Sequence, residues 1–421
     1  MNSGSMSSAP SSAAAFGRLA HRFLVVSAYY PPIVGGTATV MRNLLSAFRS
    51  ECFAVVADSP SSFPGETHQT TTPPQVSVHR CGVPGFLARI PFSAHWLSYY
   101  RAAQIPRVER AIVAEAKAIQ AGRIVAAYPS LYFLVAAYRA SRNLGLPLVT
   151  YHMDVPYPID RLRPPARQIA ARWEPLLLRE AARRLVLSDG IADYMEARSG
   201  LQSVVVPHSF PLDSLPAERL EADNRRLDQP PLIVHTGVLP GIQQKGLSKV
   251  ISLMRMKPQL GWRLTISTPS DPAELRQQLR PDMPVDIAFL EEHQVLELQR
   301  KASVLLAFGS FSSSEAGRQF SASEFPTKII EYLASGAPIL VHSAPDSLLA
   351  CHARKHGYAL VVDDPAAEAL GRGIERILAE AELRHSLIQA ARATLRREFD
   401  LRLVARKFVD AAGIDQTCLL A

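Results

Sequence analysis

Short apolar runs alternate with helical patterns along most of the chain. Phe23–Ser27 and residues 146–151 are apolar runs with the length of a buried strand. Between them, apolar positions recur at helical spacing, as at Val40, Leu44 and Phe48. The second half predicts further strands at 232–236, 263–267, 285–289, 303–307, 339–342 and 359–362. Strands that alternate with helices predict an α/β fold of doubly wound parallel sheets with right-handed crossovers.

This alternation falls into two stretches, which predicts two domains in a chain of 421 residues. We expect an N-terminal domain over 21–210 and a C-terminal domain over 231–395, followed by a final segment over 396–421. Residues 211–230 are polar and bounded by prolines, which is typical of a linker. Residues 1–20 are rich in Ser and Ala and are predicted to be a disordered tail.

The composition is that of a globular protein, with 48% apolar and 20% charged residues. The four cysteines, at positions 52, 81, 351 and 418, lack the spacing of metal ligands. Their scatter favours a reducing, cytoplasmic environment. Residues 1–20 lack the basic and apolar regions of a signal peptide, and no apolar run approaches the roughly 20 residues that span a bilayer.

The net charge of +8 is concentrated in part between Arg161 and Arg184, where arginines are interleaved with Trp173 and three leucines. Such a segment predicts peripheral contact with an anionic membrane surface, at the inner face of the membrane for a cytoplasmic protein. A basic helix face in solvent is the alternative. Nucleic acid is not a predicted partner, because no zinc finger, aromatic RNA-binding pair or recognition-helix pattern accompanies the charge.

Residues 324–341 carry the clearest functional signal. Pro326 is suited to the first turn of a helix, where its missing N–H group loses no hydrogen bond. Gly336 is suited to the position that ends this helix, and Pro338 prevents the helix from resuming. The following apolar residues predict a strand.

The first turn of this helix has the composition of an anion site. Free N–H groups near Thr327 are suited to phosphate oxygens. Lys328 lies where a cation opposes the helix dipole, so it is better explained by a bound polyanion. Glu331, one turn later, is placed to accept hydrogen bonds from ribose hydroxyls. A surface helix with solvated charges is the alternative interpretation.

Two further segments place polar or flexible residues after predicted strands. Gly35 and Gly36 follow the first strand and precede a helix, an arrangement in which backbone N–H groups approach a phosphate. An ordinary turn is the alternative. His152 and Asp154 follow the strand at 146–151, at the edge where open α/β sheets bind ligands. A structural histidine is the alternative at position 152.

In their order along the chain, these segments resemble the family-4 glycosyltransferases of the GT-B fold. The resemblance rests on residues 29–36, on His152 after its strand, on Val204–His208, on the turn at residues 237–246 and on residues 324–341. It implies two Rossmann-like domains that face each other across a cleft, with a last helix at roughly 400–412 crossing back to the N-terminal domain. It also implies transfer of a sugar from a nucleotide-sugar donor to a hydroxyl of a glycan, lipid-linked or small-molecule acceptor. Retention of anomeric configuration, without a metal or other cofactor, is part of the same implication.

The resemblance also assigns residues. His152 would lie near the donor sugar, and Asp154 would orient a substrate or face the acceptor. The donor would be bound by Gly35, Gly36, Gly237, Lys245, Glu324, Thr327, Lys328 and Glu331. Val238 occupies the place of an arginine of the family, and Arg318 is a candidate to replace that cation. Ser323 occupies the place of the first glutamate, with Glu324 one residue later, and His208 replaces an asparagine.

Two other functions remain open from the sequence. One is a catalytically inactive GT-B protein that still binds the nucleotide, an interpretation supported by Val238 and Ser323. The other is an NAD(P)-dependent oxidoreductase, against which stands the absence of a Gly-x-Gly-x-x-Gly segment after the first strand. The nucleotide base, the sugar and the acceptor are not encoded in these motifs.

Overall fold

The computed structural model of the protein describes residues 19–33, 35–59, 78–81, 93–156, 162, 164–214, 230–269 and 271–420. Its contacts divide the chain into unit 1, made of Met1–Pro207 and Arg402–Ala421, and unit 2, made of His208–Leu401. Most of the predicted tail and most of the predicted linker lie outside the described residues. At the end of the predicted tail, Ala20 is buried and forms a β-bridge with Ile414.

The described part of unit 1 contains a seven-stranded parallel sheet. Its strands are β1 Phe23–Ser27, β2 Phe53–Asp58, β3 Val78–Cys81, β4 Arg123–Tyr128, β5 Leu148–His152, β6 Arg183–Val186 and β7 Val204–Val205. The strand order is β3-β2-β1-β4-β5-β6-β7. The order therefore reverses between β1 and β4, which is where open α/β sheets bind ligands.

Helices cover both faces of this sheet. They are α1 Gly36–Leu45, α2 Ser93–Ala103, α3 Ile105–Ala118, α4 Leu131–Leu144, α5 Ala166–Glu180 and α6 Asp189–Ser199. Because side chains alternate along a strand, Phe23 and Val25 of β1 pack on the side of α1 and α6, whereas Leu24 and Val26 pack on the side of α3 and α4. Burial on both faces explains the continuous apolar run of β1.

Unit 2 contains a six-stranded parallel sheet in its described part. Its strands are β8 Leu232–Thr236, β9 Arg263–Ser267, β10 Val285–Ala288, β11 Val304–Phe308, β12 Ile339–His342 and β13 Ala359–Val362. The order is β10-β9-β8-β11-β12-β13, with the reversal between β8 and β11. Each strand agrees with its predicted range to within one residue at either end.

The helices of unit 2 include a short turn of π-helix at Leu395–Phe399. The α-helices are α7 Gly241–Met256, α8 Ala273–Arg276, α9 Glu292–Lys301, α10 Glu315–Ser323, α11 Lys328–Ser335, α12 Leu348–His356, α13 Ala367–Ala379 and α14 Ala381–Thr394. Gly336 ends α11 with a left-handed φ of 77°, as the sequence predicts. The two sheets with helices on both faces confirm the predicted α/β fold class.

The last helix, α15 Leu401–Ala412, contributes to the core of unit 1. The ring of Phe408 lies 5.9 Å from that of Phe48 and 6.4 Å from that of Phe23, measured between centroids. The chain rejoins unit 1 at Arg402, later than the expected start of the final segment at 396, because Phe399 is buried in the core of unit 2.

Among the helices that the structure describes, none combines the length and the apolar character needed to cross a bilayer. Cys52, Cys351 and Cys418 are free thiols.

Candidate functional site

Lys328 lies beside the carboxyl end of β8 in unit 2. Its Nζ atom is 3.1 Å from Nε2 of His235, the penultimate residue of that strand. Gly237 follows the strand with a φ of 105°, and a Cβ atom at this position would lie 3.4 Å from Cε of Lys328. Gly237 therefore supplies both the backbone conformation and the space that bring the lysine amine to the end of the strand.

His235 accepts this hydrogen bond as a neutral imidazole. Its Nδ1 atom lies 2.9 Å from the carbonyl oxygen of Leu306, which can only accept, so Nδ1 carries the proton. Full burial, assisted by the charge of Lys328, lowers the pKa of His235 well below its ordinary value. The lone pair of Nε2 is thus directed at Lys328.

The Lys328 amine changes between its charged and neutral forms near neutral pH. Burial lowers the pKa of its ammonium group to about 7, while the carboxylates of Glu324 and Glu331 act in the opposite direction. A bound anion would add to the effect of the two carboxylates and favour the charged form. The sequence places Lys328 in this role, and the structure adds His235, which no local motif identifies.

Glu324, rather than Ser323, supplies the carboxylate close to Lys328. Ser323 is buried and its hydroxyl donates a hydrogen bond to the carbonyl oxygen of Phe320, 2.9 Å away. Glu324 follows the end of α10 and is half-buried, close enough to Lys328 to influence its pKa. The carboxylate of this segment therefore comes from Glu324, one residue after the position of the family glutamate.

Glu331 is held in place by a buried hydrogen-bond network. Its Oε2 atom accepts from Nε2 of Gln299 at 3.2 Å, and the same amide donates to Oγ1 of Thr236 at 3.0 Å. The backbone N–H of Thr236 donates in turn to the hydroxyl of Tyr332 at 3.0 Å. This network joins β8, α9 and α11 and orients the Glu331 carboxylate.

The start of α11 offers backbone donors next to Lys328. The first backbone hydrogen bond of this turn runs from Ile329 N to the carbonyl oxygen of Pro326, over 3.0 Å. The N–H groups of Thr327 and Lys328 come before this bond, at the positive end of the helix. A diphosphate could accept hydrogen bonds from them and from the Lys328 amine together.

Lys245 and Arg318, the other two predicted cations, are both exposed. Lys245 lies on α7, and Arg318 lies on α10 with its guanidinium donating to the carbonyl oxygen of Ser313 at 2.8 Å. Within the described residues, no hydrogen bond or ion pair connects either cation to Lys328. Val238, in the place of the family arginine, is 53% exposed.

The sequence predicts a turn at Lys245 and Gly246, but both residues lie inside α7, which begins at Gly241. A Cβ atom on Gly246 would lie 2.3 Å from Cδ1 of Phe308, so this glycine lets the helix pack closely on the end of β11. Its role is packing, and the turn prediction is wrong because a close helix–strand contact has the same glycine signal as a turn.

His152 ends β5 in unit 1 and is 1% exposed. Its ring stacks on that of Tyr128, its register partner on β4, with centroids 5.4 Å apart. Neither ring nitrogen has a hydrogen-bond partner among the described residues. Burial, together with the charge of Arg184, lowers the pKa of His152 to about 4 and keeps the ring neutral. The ring is thus buried rather than presented to solvent.

The remaining predicted residues lie at other strand and helix ends. Asp154 is exposed beyond β5, although the protein around it desolvates the carboxyl and raises its pKa. Gly36 is the first residue of α1, and Gly35 precedes it. His208, which replaces the family asparagine, is buried, with Nδ1 2.9 Å from the carbonyl oxygen of Ser209.

Unit 1 contains a cavity of about 290 Å³ at the carboxyl ends of its central strands. Tyr29 follows β1, Asp58 ends β2 and Tyr128 ends β4, and all three line this cavity. Arg101 and Glu174 add charged groups to the wall. Aromatic rings combined with charged side chains form a surface suited to a sugar, whose faces are apolar and whose hydroxyls are polar.

In the basic segment between Arg161 and Arg184, the described part buries two of its leucines rather than exposing them as a membrane surface would require. Leu177 and Leu178 of α5 are buried, and Trp173 packs on the core of unit 1. The arginines exposed on this helix are Arg167, Arg172 and Arg179. Arg161 and Arg163 lie outside the described residues.

Comparison with known families and structures gives a consistent result. Residues 35–208 match the family described as glycosyl transferase 4-like domain, and residues 218–394 match glycosyl transferases group 1. A search of curated protein sequences found no significant match.

Three solved structures share the fold. Sucrose-phosphate synthase from Thermosynechococcus elongatus is 16% identical with a TM-score of 0.66, and the match covers 92% of this chain and 97% of that one. The Anabaena protein Alr3699/HepE, in complex with UDP-glucose, is 14% identical with a TM-score of 0.66 and coverages of 92% and 98%. The lipopolysaccharide outer core galactosyltransferase WaaB in its apo form is 16% identical with a TM-score of 0.56 and coverages of 93% and 98%.

Proposed function

The chain belongs to the family-4-like glycosyltransferases of the GT-B fold, and on this basis we propose that it transfers a glycosyl unit from a nucleoside-diphosphate sugar to an acceptor hydroxyl with retention of configuration. The observation that carries the proposal is the cluster of Lys328, His235, Glu324 and Glu331 at the carboxyl end of β8. It lies beside the strand-order reversal of unit 2, where a nucleotide is expected.

Each group of this cluster has a role in the proposed reaction. The Lys328 ammonium group and the N–H groups at the start of α11 would stabilise the negative charge that develops on the departing diphosphate. Glu331, fixed by Gln299, would accept hydrogen bonds from the ribose hydroxyls. Glu324 would accept hydrogen bonds from the donor sugar. These donors supply the positive charge of the site, so we propose a reaction without a metal ion at the diphosphate.

A uridine nucleotide is the first donor to test, because the HepE structures contain UDP-glucose and UDP. The cavity of unit 1 is the proposed acceptor site, since its aromatic and charged walls fit a glycan or the sugar of a lipid-linked acceptor. The exposed arginines of α5 would add electrostatic attraction to an anionic membrane surface. Cosedimentation with anionic vesicles, compared with neutral ones, tests that contribution.

His152 and Asp154 are proposed to act near the reacting sugar. His152 is a buried, neutral ring whose nitrogens have no hydrogen-bond partner among the described residues, so they are available to hydroxyls of the donor sugar. Asp154 is exposed two residues later and is suited to orienting the acceptor.

A thermal-shift screen followed by a donor-turnover assay tests the proposed function. We expect UDP or UDP-glucose to raise the melting temperature of the whole protein, because ligands that bind the folded state stabilise it. Lys328→Ala should weaken nucleotide binding by about 10- to 150-fold, the value of a charged hydrogen bond. The control is Lys257→Ala, at an exposed lysine after α7, which should bind as the parent does.

The outcomes distinguish the candidate functions. Nucleotide binding with release or transfer of the sugar supports the transferase. Binding without any donor turnover would support the inactive GT-B protein, and stabilisation by NAD alone would support the oxidoreductase. Unchanged nucleotide binding by Lys328→Ala would show that the donor site lies elsewhere.

A further inference from the structure

Two histidines and a glutamate converge on the surface of unit 2, apart from the residues assigned to the donor. His352 and His356 are four residues apart on α12, which places both rings on one face of the helix. Their ring centroids are 4.4 Å apart. Glu398 reaches them from the π-helical turn after α14.

The three side chains bring potential metal-binding atoms close together. Oε2 of Glu398 lies 3.0 Å from Nε2 of His352, and Oε1 lies 3.2 Å from Nε2 of His356. One nitrogen or oxygen of each residue falls within 4.8 Å of the other two. Tetrahedral ligands at a zinc distance of about 2.0–2.1 Å are separated by roughly 3.3 Å. The two nitrogen–oxygen distances are near this value, so small side-chain rotations would bring one atom of each residue to an ion.

The surroundings of the histidines fit this use. Nδ1 of His352 lies 3.2 Å from the hydroxyl of Tyr358, an outer partner of the kind that orients a metal-binding imidazole. Turns of π-helix also occur frequently at functional sites.

Two ring protons must move for an ion to bind. Glu398 accepts a hydrogen bond from Nε2 of His352 at 3.0 Å, so this ring must shift its proton to Nδ1, beside the Tyr358 hydroxyl. The guanidinium of Arg397 donates to Nδ1 of His356 at 2.6 Å, which leaves the proton of that ring on Nε2. Arg397 is 58% exposed, so its guanidinium can turn into solvent and allow the proton to move to Nδ1. Nε2 of His356 then becomes available as a ligand.

We propose that His352, His356 and Glu398 bind a divalent transition-metal ion, for which Zn²⁺ is the best match. Two imidazoles and a carboxylate form a common zinc ligand set, with a fourth position open to water.

The site would support unit 2 rather than take part in glycosyl transfer. The ring of His352 packs edge-on against Phe325 at 4.9 Å, and Phe325 stacks on Phe399 at 5.9 Å. Phe325 directly follows Glu324 in the chain. An ion would connect α12 to the π-helical turn. Through the contacts of His352 and Phe399 with Phe325, it would also stabilise the segment that carries Glu324.

Metal binding to the full-length protein tests the proposal. After chelator treatment and dialysis, calorimetric titration with Zn²⁺ should give one ion per chain and raise the melting temperature. Co²⁺ should give the visible absorption of a tetrahedral complex. His356→Ala should lower Zn²⁺ affinity by more than about 10- to 100-fold, the effect of losing even an outer partner. His385→Ala, at an exposed histidine of α14, is the matched control and should bind as the parent does.

Glu398→Gln provides a second variant, which preserves the size of the side chain and removes its charge. Weakened Zn²⁺ binding in this variant, with an unchanged circular dichroism spectrum, would support the site. The proposal is overturned if the parent protein binds no stoichiometric Zn²⁺, if His385→Ala loses as much affinity as His356→Ala, or if the folded Glu398→Gln protein binds Zn²⁺ like the parent.

Discussion

The amine of Lys328 donates a hydrogen bond to Nε2 of His235 over 3.1 Å. His235 uses its only ring proton at Nδ1, toward Leu306, and therefore accepts from the lysine whether that amine is charged or neutral. The hydrogen bond to His235 therefore fixes the position of the Lys328 amine in either protonation state. A bound ligand can still change the fraction of the amine that is protonated. The pH dependence of donor binding follows from this arrangement.

We expect nucleoside-diphosphate affinity to fall as the pH rises from 7 to 9. Burial lowers the pKa of Lys328 to about 7, so the ligand-free protein loses the ammonium charge through this range. The anion binds the charged form, and the dissociation constant should rise by up to about tenfold per pH unit until the pKa of the complex is reached. Calorimetric titration at several pH values measures the slope.

Lys328→Arg is the control for the pH slope, because a guanidinium keeps its charge throughout this range. The variant should bind with an affinity that is nearly independent of pH between 7 and 9. The same slope in both proteins would show that another group titrates.

Glu331→Ala should lose the preference for a ribonucleotide over its dideoxy analogue. The parent is expected to prefer the ribonucleotide by roughly 10- to 150-fold, because the analogue leaves a charged acceptor unpaired. Competition binding with the two nucleotides measures this ratio, and Glu375→Ala, at an exposed glutamate of α13, serves as the control. An undiminished preference in Glu331→Ala would remove this residue from the ribose site.

Gly246→Ala should lower the free energy of unfolding by about 1–3 kcal/mol, the usual effect of overpacking. The added Cβ atom would lie 2.3 Å from Phe308, so the helix or the ring must shift. Urea denaturation measures the loss. Gly241→Ala in the first turn of the same helix is the matched control, since its added Cβ atom would meet nothing within 4 Å. Equal stability of the two variants would contradict the packing role.

His152→Leu should lower kcat by roughly 10²–10⁴-fold, the contribution of one positioned catalytic group. The stability of the fold should not fall, because no described residue hydrogen-bonds to His152 and leucine fills a similar volume. Steady-state kinetics and urea denaturation on the same preparation separate the two effects. Normal turnover would leave His152 with a packing role alone.

His342→Phe is the comparison for His152→Leu, because it replaces a buried histidine that does have a protein hydrogen bond. His342 is also buried, but its Nε2 atom hydrogen-bonds to the carbonyl oxygen of Asp364 at 2.9 Å. Losing that bond should lower the free energy of unfolding by about 0.5–1.5 kcal/mol.

The described strands of unit 2, and β1 of unit 1, follow from the sequence because parallel strands buried on two faces are continuous apolar runs. β1 and β8 agree with their predicted bounds for this reason. Gly336 is equally predictable, since few other residues adopt its left-handed conformation. The start of α7 cannot be predicted in the same way. Gly246 must be glycine because it packs against Phe308, which is 62 residues later in the chain.

The donor cluster is only partly encoded in local motifs. Lys328 and Glu331 stand out because their positions on a short helix suit a polyanion and a ribose. His235 and Gln299 give no such signal, since each is a single polar residue in an otherwise ordinary pattern. They become part of the site through contacts between β8, α9 and α11 that form only in the folded protein. The place of Lys245 at the diphosphate stays a prediction.

The return of α15 to unit 1 affects the order in which the chain can fold during its synthesis. The core around Phe23 and Phe48 includes Phe408, so that core can be complete only after residue 408 has been synthesised. Unit 2 is continuous from His208 to Leu401, and the described residues of its two hydrophobic cores all lie within that span. Although domains translated first usually fold first, here the half of the protein that emerges second can finish folding before the half that emerges first.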